Sequence, residues 1–110
     1  MKRILFLILE NGSPAIRALE NIRESGFNGT LIGGSSLRHA LEGKLPEEHS
    51  FFHLAHWEAE NAEESTVSMF IVDQDQIEVL KTTIREHTEH FQDVKGAMFT
   101  IPLDDYEGAF

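Results

Sequence analysis

The alternation of apolar segments with turn residues constrains the fold of this chain more than any other feature. Residues 4–9 are an apolar run, followed by a polar turn, a helical pattern and a strand region at 27–37. The second half repeats this plan, with an apolar run at 66–72 and a last strand at 97–103. Two βαβ-like halves predict an α+β, ferredoxin-like βαββαβ sandwich, with a four-stranded antiparallel sheet and two helices on one face.

Length and composition predict a single soluble domain over residues 1–110, because 41% of the residues are hydrophobic. No apolar run approaches the roughly 18–20 residues that span a bilayer. Residues 1–9 imitate a signal peptide, but Glu10 and Asn11 stand where a cleavage site would be, so a buried strand is expected. With no cysteine, the chain has no disulfide and no thiolate ligand, which favours a cytoplasmic protein.

The charge of the chain excludes several classes of partner. Nine Lys and Arg stand among nineteen Asp and Glu, for a formal net charge of −10. Nucleic acids and anionic membranes are disfavoured, because both require a basic surface. A free nucleoside triphosphate would need a metal ion or a local basic cluster to offset the repulsion.

Two helices are predicted from their boundary residues and apolar stripes. Ser13 is a candidate N-cap, Pro14 suits the first helical position and Gly26 the C-terminal stop. Asp75 and Glu78 resemble a capping box at the start of the second helix. The two predicted buried faces are Ala15, Ile16, Ala18, Leu19 and Ile22, and Ile77, Leu80, Ile84, His87 and Phe91.

The unbroken apolarity of residues 4–9 predicts a central strand. Either both of its faces are covered by this chain, or one is covered by oligomerisation.

A glycine-serine segment is the first candidate ligand site. It consists of Gly33, Gly34, Ser35 and Ser36, with Arg38 close behind. Backbone N–H groups at glycine can approach a nucleobase or a phosphate, because no side chain stands in the way. The segment lacks the Lys-Ser/Thr ending of a phosphate-binding loop, and a simple glycine bulge in a strand explains it equally well.

The polar excursion at about 42–65 is the second candidate site, because compact domains rarely carry so long an insertion without a use for it. On a helix, His53 and His56 could chelate one metal ion, with His49 a turn earlier and Glu60 a turn later. On a strand that chelate fails, and the histidines would be ordinary polar neighbours of docked aromatic side chains. His90 is expected to be solvated.

No set of catalytic residues stands out, so we predict a protein that is not an enzyme. A small enzyme using His53 or His56 as a base is the weakest alternative, since neither has an evident partner residue.

Three stretches resemble the PII-like superfamily, and in particular its cyclic di-AMP receptor proteins. They are the opening strand at 1–9, the segment Phe27-Asn28-Gly29-Thr30 followed by Gly33-Gly34 and Leu37, and the ending at 96–106. Leu31 stands where the receptor family has Lys, and that family's long loop before the last strand is reduced to residues 92–95.

The resemblance implies a homotrimer whose sheets face a common centre, with small-molecule sites in the clefts between subunits. It also makes residues 42–65 the T-loop, which PII-like proteins use to engage a protein partner. We therefore expect a signalling protein that binds a nucleotide or cyclic dinucleotide. The expected ligand residues are Thr30, Gly33, Gly34, Ser35, Ser36 and Arg38. The alternative is a trimer of the CutA kind, binding a divalent metal through His49, His53 and His56.

Overall fold

The computed structural model describes residues 1–34 and 65–109. Their elements follow the predicted βαββαβ order, which confirms the ferredoxin-like sandwich. They are β1 (Lys2–Glu10), α1 (Ser13–Glu24), β2 (Thr30–Gly34), β3 (Ser65–Asp73), α2 (Ile77–Thr88) and β4 (Gly96–Pro102). A 3-10 turn at Gln74–Gln76 leads into α2, and no helix in these two ranges is long and apolar enough to cross a membrane.

The four strands form one antiparallel sheet in the order β2-β3-β1-β4. The strand β1 is therefore central, as its unbroken apolarity predicts. Its Phe6 lies opposite Met69 of β3 on one side and opposite Phe99 of β4 on the other. Since side chains alternate along a strand, each such row of residues lies on one face of the sheet.

Both helices pack on the face that carries Leu5, Leu7 and Leu9, which we call the helix face. These three leucines are completely buried. The helices contribute most of their predicted apolar stripes, so a single core forms between the two layers. Its other buried members are Ala15, Ile22, Phe70, Ile77, Leu80, Ile84 and Val94. The prediction is wrong for Ile16, which is 59% exposed.

The opposite side of the sheet, which we call the open face, is also apolar. No helix within residues 1–34 and 65–109 covers it. Phe99 keeps 49% of its surface exposed, Ile101 44% and Ile8 36%. The open face is made of Ile4, Phe6, Ile8, Ile32, Val67, Met69, Ile71, Phe99 and Ile101.

Both predicted N-terminal caps are wrong. The helix α1 already includes Ser13, because Gly12 has an extended backbone and its carbonyl accepts a hydrogen bond from Ile16 N at 3.1 Å. At the start of the second helix, Asp75 lies inside a 3-10 turn, and Gln76 rather than Asp75 is the residue that precedes α2. Neither helix has a side-chain cap.

The C-terminal end is predicted correctly for α1 and incorrectly for α2. Gly26 stops α1 as predicted, with φ of 103° and its N–H donating to Arg23 O at 3.0 Å. The predicted stripe of α2 is wrong at its end, because the helix finishes at Thr88. Phe91 packs against the core through a left-handed turn, and His87 is only half-buried.

The C-terminal tail packs back on the start of its own chain. Leu103 N donates to Lys2 O at 3.1 Å, and Lys2 Nζ lies 5.6 Å from the centre of the Tyr106 ring. The same ammonium group is 3.1 Å from the carboxylate of Asp73. One lysine thus joins the tail, β1 and β3.

Candidate functional site

Half of the predicted ligand residues lie on β2, an edge strand of the sheet. Thr30 is opposite Met69, so its side chain belongs to the open face, whereas Gly33 is opposite Thr66 on the helix face. The pairing continues without interruption to Gly34, so the two glycines form no bulge. Ser35, Ser36 and Arg38 lie outside the described residues.

Gly34 occupies a position where packing does not require glycine. A Cβ atom built there would lie 3.4 Å from Ser65 Oγ, which is ordinary van der Waals contact, and its φ is not positive. Contacts within 1–34 and 65–109 therefore do not account for a glycine at the end of this edge strand, and a residue without a side chain permits a close approach by another molecule.

A small pocket of about 100 Å³ lies beside Thr30 on the open face. Its walls are apolar except for the hydroxyl of Thr30 and the amide of Asn28, and none of its lining residues is charged. The oxygen of the Asn28 side-chain amide already accepts a hydrogen bond, from Gly29 N at 3.1 Å. The apolar walls come from Ile4, Met69 and Ile71.

Gly29 holds the beginning of β2 against β3. A Cβ there would lie 2.6 Å from the carbonyl oxygen of Met69 and 3.0 Å from the Phe70 ring. Only glycine allows this approach. In the sequence, Gly29 falls inside the strand region predicted at 27–37, whereas β2 begins only at Thr30, so its role had no signal beyond the family resemblance.

A larger pocket of about 290 Å³ lies on the helix face and was not predicted. It lies between α1 on one side and β2 and β3 on the other, and Ser68 is among its lining residues. No sequence signal pointed to Ser68, because β3 also contains Ser65 and Thr66.

A third pocket, of about 230 Å³, lies where β1 ends beside the loop that precedes β4. This loop is the short segment 92–95. Glu10, Asp93 and Lys95 line the pocket, and Glu10 N donates to Lys95 O at 2.9 Å. Asn11, another lining residue, accepts a hydrogen bond at its Oδ1 from Thr66 Oγ1.

The predicted metal site cannot be located, because His49, His53 and His56 lie outside the described residues. Within 1–34 and 65–109, no group of three or more His, Asp or Glu side chains is arranged to hold a metal ion. His87 is half-buried and His90 is exposed, both at the end of α2.

No protein-family model and no curated protein matches this chain. It is similar to a solved structure of CPII from Thiomonas intermedia K12, which is bound to ADP and bicarbonate. The TM-score is 0.50 at 17% sequence identity, and the match covers 91% of this chain and 83% of CPII. The chain has a PII-like fold. This confirms the wider resemblance, whereas the likeness to cyclic di-AMP receptors stays a prediction.

Within the PII-like fold, Gly29 and Gly34 differ in what requires them. Gly29 serves the packing of the start of β2 on β3, while Gly34 has room for a side chain among the described residues. Of the predicted ligand residues that the structure describes, Thr30 faces the open face, beside the small pocket.

Proposed function

We propose that this chain is a cytoplasmic, non-enzymatic regulator of the PII-like kind. It assembles as a homotrimer and binds a nucleotide-class ligand between subunits, near Thr30 and Gly34. The neighbouring Ser35, Ser36 and Arg38 complete that site, and residues 42–65 act as a T-loop that engages a protein partner.

The observation that carries this proposal is the position of the Thr30 pocket at the border of the apolar open face. Apolar surfaces of this extent are covered in stable proteins, since burial stabilises by about 25 cal/mol for each Å². A second copy packed on the open face would bury the Phe99 and Ile101 side chains. It would also close the solvent side of the pocket and add its own groups to the ligand site.

The lining of the pocket favours the base or sugar of a nucleotide over its phosphates. Thr30 and Asn28 offer a hydroxyl and an amide, which can pair with ring nitrogens or ribose hydroxyls. With a net charge of −10, the phosphates require a cation near them. Arg38 or a bound metal ion would supply that charge. CPII, whose fold is similar, is bound to ADP in its own structure.

Ligand binding would regulate through residues 42–65, which follow the glycine-serine segment after five residues in the sequence. A ligand shifts a loop between two states only by its difference in affinity for them, typically 1–3 kcal/mol. Contacts at Gly34, Ser35 and Ser36 would create that difference because they lie shortly before the loop in the chain.

A thermal-shift screen against ATP, ADP and cyclic di-AMP, each with and without Mg²⁺, tests the ligand. A nucleotide at about a hundred times its Kd stabilises the folded state by roughly 2.7 kcal/mol. Thr30→Val should weaken that nucleotide about fivefold, the net contribution of one hydrogen bond. Thr82→Val, an exposed threonine on α2, is the matched control.

The same screen, extended to zinc, nickel and copper salts without nucleotide, separates the proposal from its alternative. Gly34→Val should fold normally and lose nucleotide binding, because its side chain fills the approach to the backbone. A response to zinc, nickel or copper alone, abolished by His53→Ala and His56→Ala, would instead favour a CutA-like metal-binding trimer. No response to any nucleotide would overturn the proposed ligand.

A further inference from the structure

The pocket on the helix face has an unusual base, because it places a hydroxyl group among apolar side chains. Ser68 lies on β3 between Leu7 of β1 and Leu31 of β2, all three on the helix face. Only 1% of Ser68 is exposed, and its Oγ has no hydrogen-bond partner within the described ranges. Buried polar groups are normally paired, so an unpaired one requires an explanation.

The walls around this hydroxyl are those of a small-molecule site. Leu19 and Phe27 are half-buried against the core, and Phe70 forms part of the floor. Ile16 and Leu31 stand at the opening, each 59% exposed. At about 290 Å³, the pocket is close to the lower limit of roughly 300 Å³ for ligand sites.

The charged groups at the opening favour a neutral occupant. Glu20 and Arg23, one turn apart on α1, place one charge of each sign beside the pocket. A cation or an anion would therefore meet one attractive and one repulsive partner, and the net charge of −10 further opposes an anion.

We propose that this pocket binds an uncharged, mostly apolar small molecule that carries one hydrogen-bonding group. Its apolar body lies between α1 and the sheet, and its polar group pairs with Ser68 Oγ. A hydroxyl can both donate and accept, so an alcohol, a phenol or a carbonyl compound satisfies it. This site is separate from the nucleotide site, since it lies on the opposite face of the sheet.

The ligand would also touch the segment that leads to the Thr30 pocket. Asn28 and Gly29 line both pockets, one on each face of the sheet. Gly29 is already in close contact with Met69 and Phe70. An occupant that displaces the Phe70 ring would therefore also displace Gly29 and the start of β2. The occupant would in this way influence nucleotide binding, and the nucleotide would change the occupant's affinity by the same factor, although the pocket can fill without a nucleotide.

Two matched compounds test the proposal by titration into the ¹⁵N-labelled protein. They are 4-methylphenol and toluene, which differ by one hydroxyl group. We expect saturable amide shifts at Gly29, Leu31, Ser68 and Phe70, with 4-methylphenol binding about fivefold more tightly than toluene. Ser68→Ala should remove this preference while leaving toluene binding unchanged.

A second pair of variants tests the walls without touching the buried hydroxyl. Ile16→Glu should weaken both compounds, because it places a charge beside the apolar body. Val79→Glu, at a comparably exposed site on α2, should leave both affinities unchanged. The proposal is overturned if folded protein shows no saturable shifts, if the shifts cluster on the open face, or if Ser68→Ala keeps the preference. None of these results bears on the nucleotide site, whose test is Thr30→Val.

Discussion

The rings of Phe6 and Phe99 stack on the open face with their centres 5.0 Å apart and their planes at 22°. They lie directly opposite each other on β1 and β4. The pair therefore joins the central strand β1 to the edge strand β4 on an apolar surface that α1 and α2 leave uncovered. Aromatic pairs of this kind dominate the energetics of interfaces, because they bury a large area at little entropic cost.

Phe99→Glu should break the proposed homotrimer into monomers. The side chain is 49% exposed in the single chain, so the monomer should still fold, while a carboxylate buried within an apolar interface should not be tolerated. Light scattering coupled to size-exclusion chromatography gives the mass. Val79→Glu, on the helix side and 52% exposed, should keep the oligomer intact. An unchanged mass for Phe99→Glu would show that the open face is not the interface.

Thr88→Val should destabilise the turn that follows α2. Thr88 is completely buried, and its Oγ1 donates to Ile84 O at 2.8 Å and accepts from Phe91 N at 3.2 Å. Valine has the same shape but leaves Phe91 N without this acceptor, whereas Ile84 O, inside α2, is still the helical acceptor for Thr88 N. We expect a loss of about 1–3 kcal/mol in the free energy of unfolding, measured by urea denaturation.

The control for Thr88→Val is Thr82→Val, since Thr82 is exposed on the same helix.

The turn after α2 contains three consecutive residues with positive φ values. They are Glu89, His90 and Phe91, at 51°, 55° and 64°. Such residues are held only by their surroundings. If Thr88→Val were as stable as the wild type, the hydroxyl would not be what holds this turn.

The layers and element order could be predicted because they follow from patterns that are local in sequence. The apolar run at 4–9 and the stripe of α1 depend on periods that a strand and a helix impose. The helix starts could not be predicted as well. Ser13 and Asp75 are good capping residues, but the backbone at Gly12 and at the 3-10 turn begins each helix differently.

The candidate sites were only partly predictable, for a different reason. Gly34 stands out in sequence because glycine is depleted in strands, whereas Thr30 was expected only from the family resemblance. Ser68 does not stand out, since a serine in a strand has no special meaning until the register places it between Leu7 and Leu31. Pockets arise from contacts between distant segments, which no local pattern encodes.

Gly96→Ala should be severely destabilising, although it adds a single methyl group. A Cβ at this position would lie 2.0 Å from the carbonyl oxygen of Ile8. The clash is with the backbone of the central strand, which cannot move without disturbing its pairing to β3. We expect a loss of roughly 3 kcal/mol or more, which chemical denaturation would measure.

The matched control for Gly96→Ala is Gly34→Ala, where the new Cβ would find ordinary contact at 3.4 Å. That variant should change the free energy of unfolding by no more than about 0.5 kcal/mol. Equal losses for the two substitutions would mean that close packing does not distinguish these glycines, and the argument that Gly34 is kept for a ligand would fail.

Ser68→Ala should stabilise the protein, although the residue is completely enclosed. The hydroxyl loses its hydrogen bonds to water on folding and gains none in return from the described residues. Removing it should add about 1–3 kcal/mol to the free energy of unfolding in the absence of ligand. Ser25→Ala is the comparison, because that hydroxyl donates to Asn21 O at 2.9 Å and its removal should be neutral or mildly destabilising. A loss of stability in Ser68→Ala would indicate that the hydroxyl is already paired in the folded protein, and the reason for assigning it to a ligand would disappear.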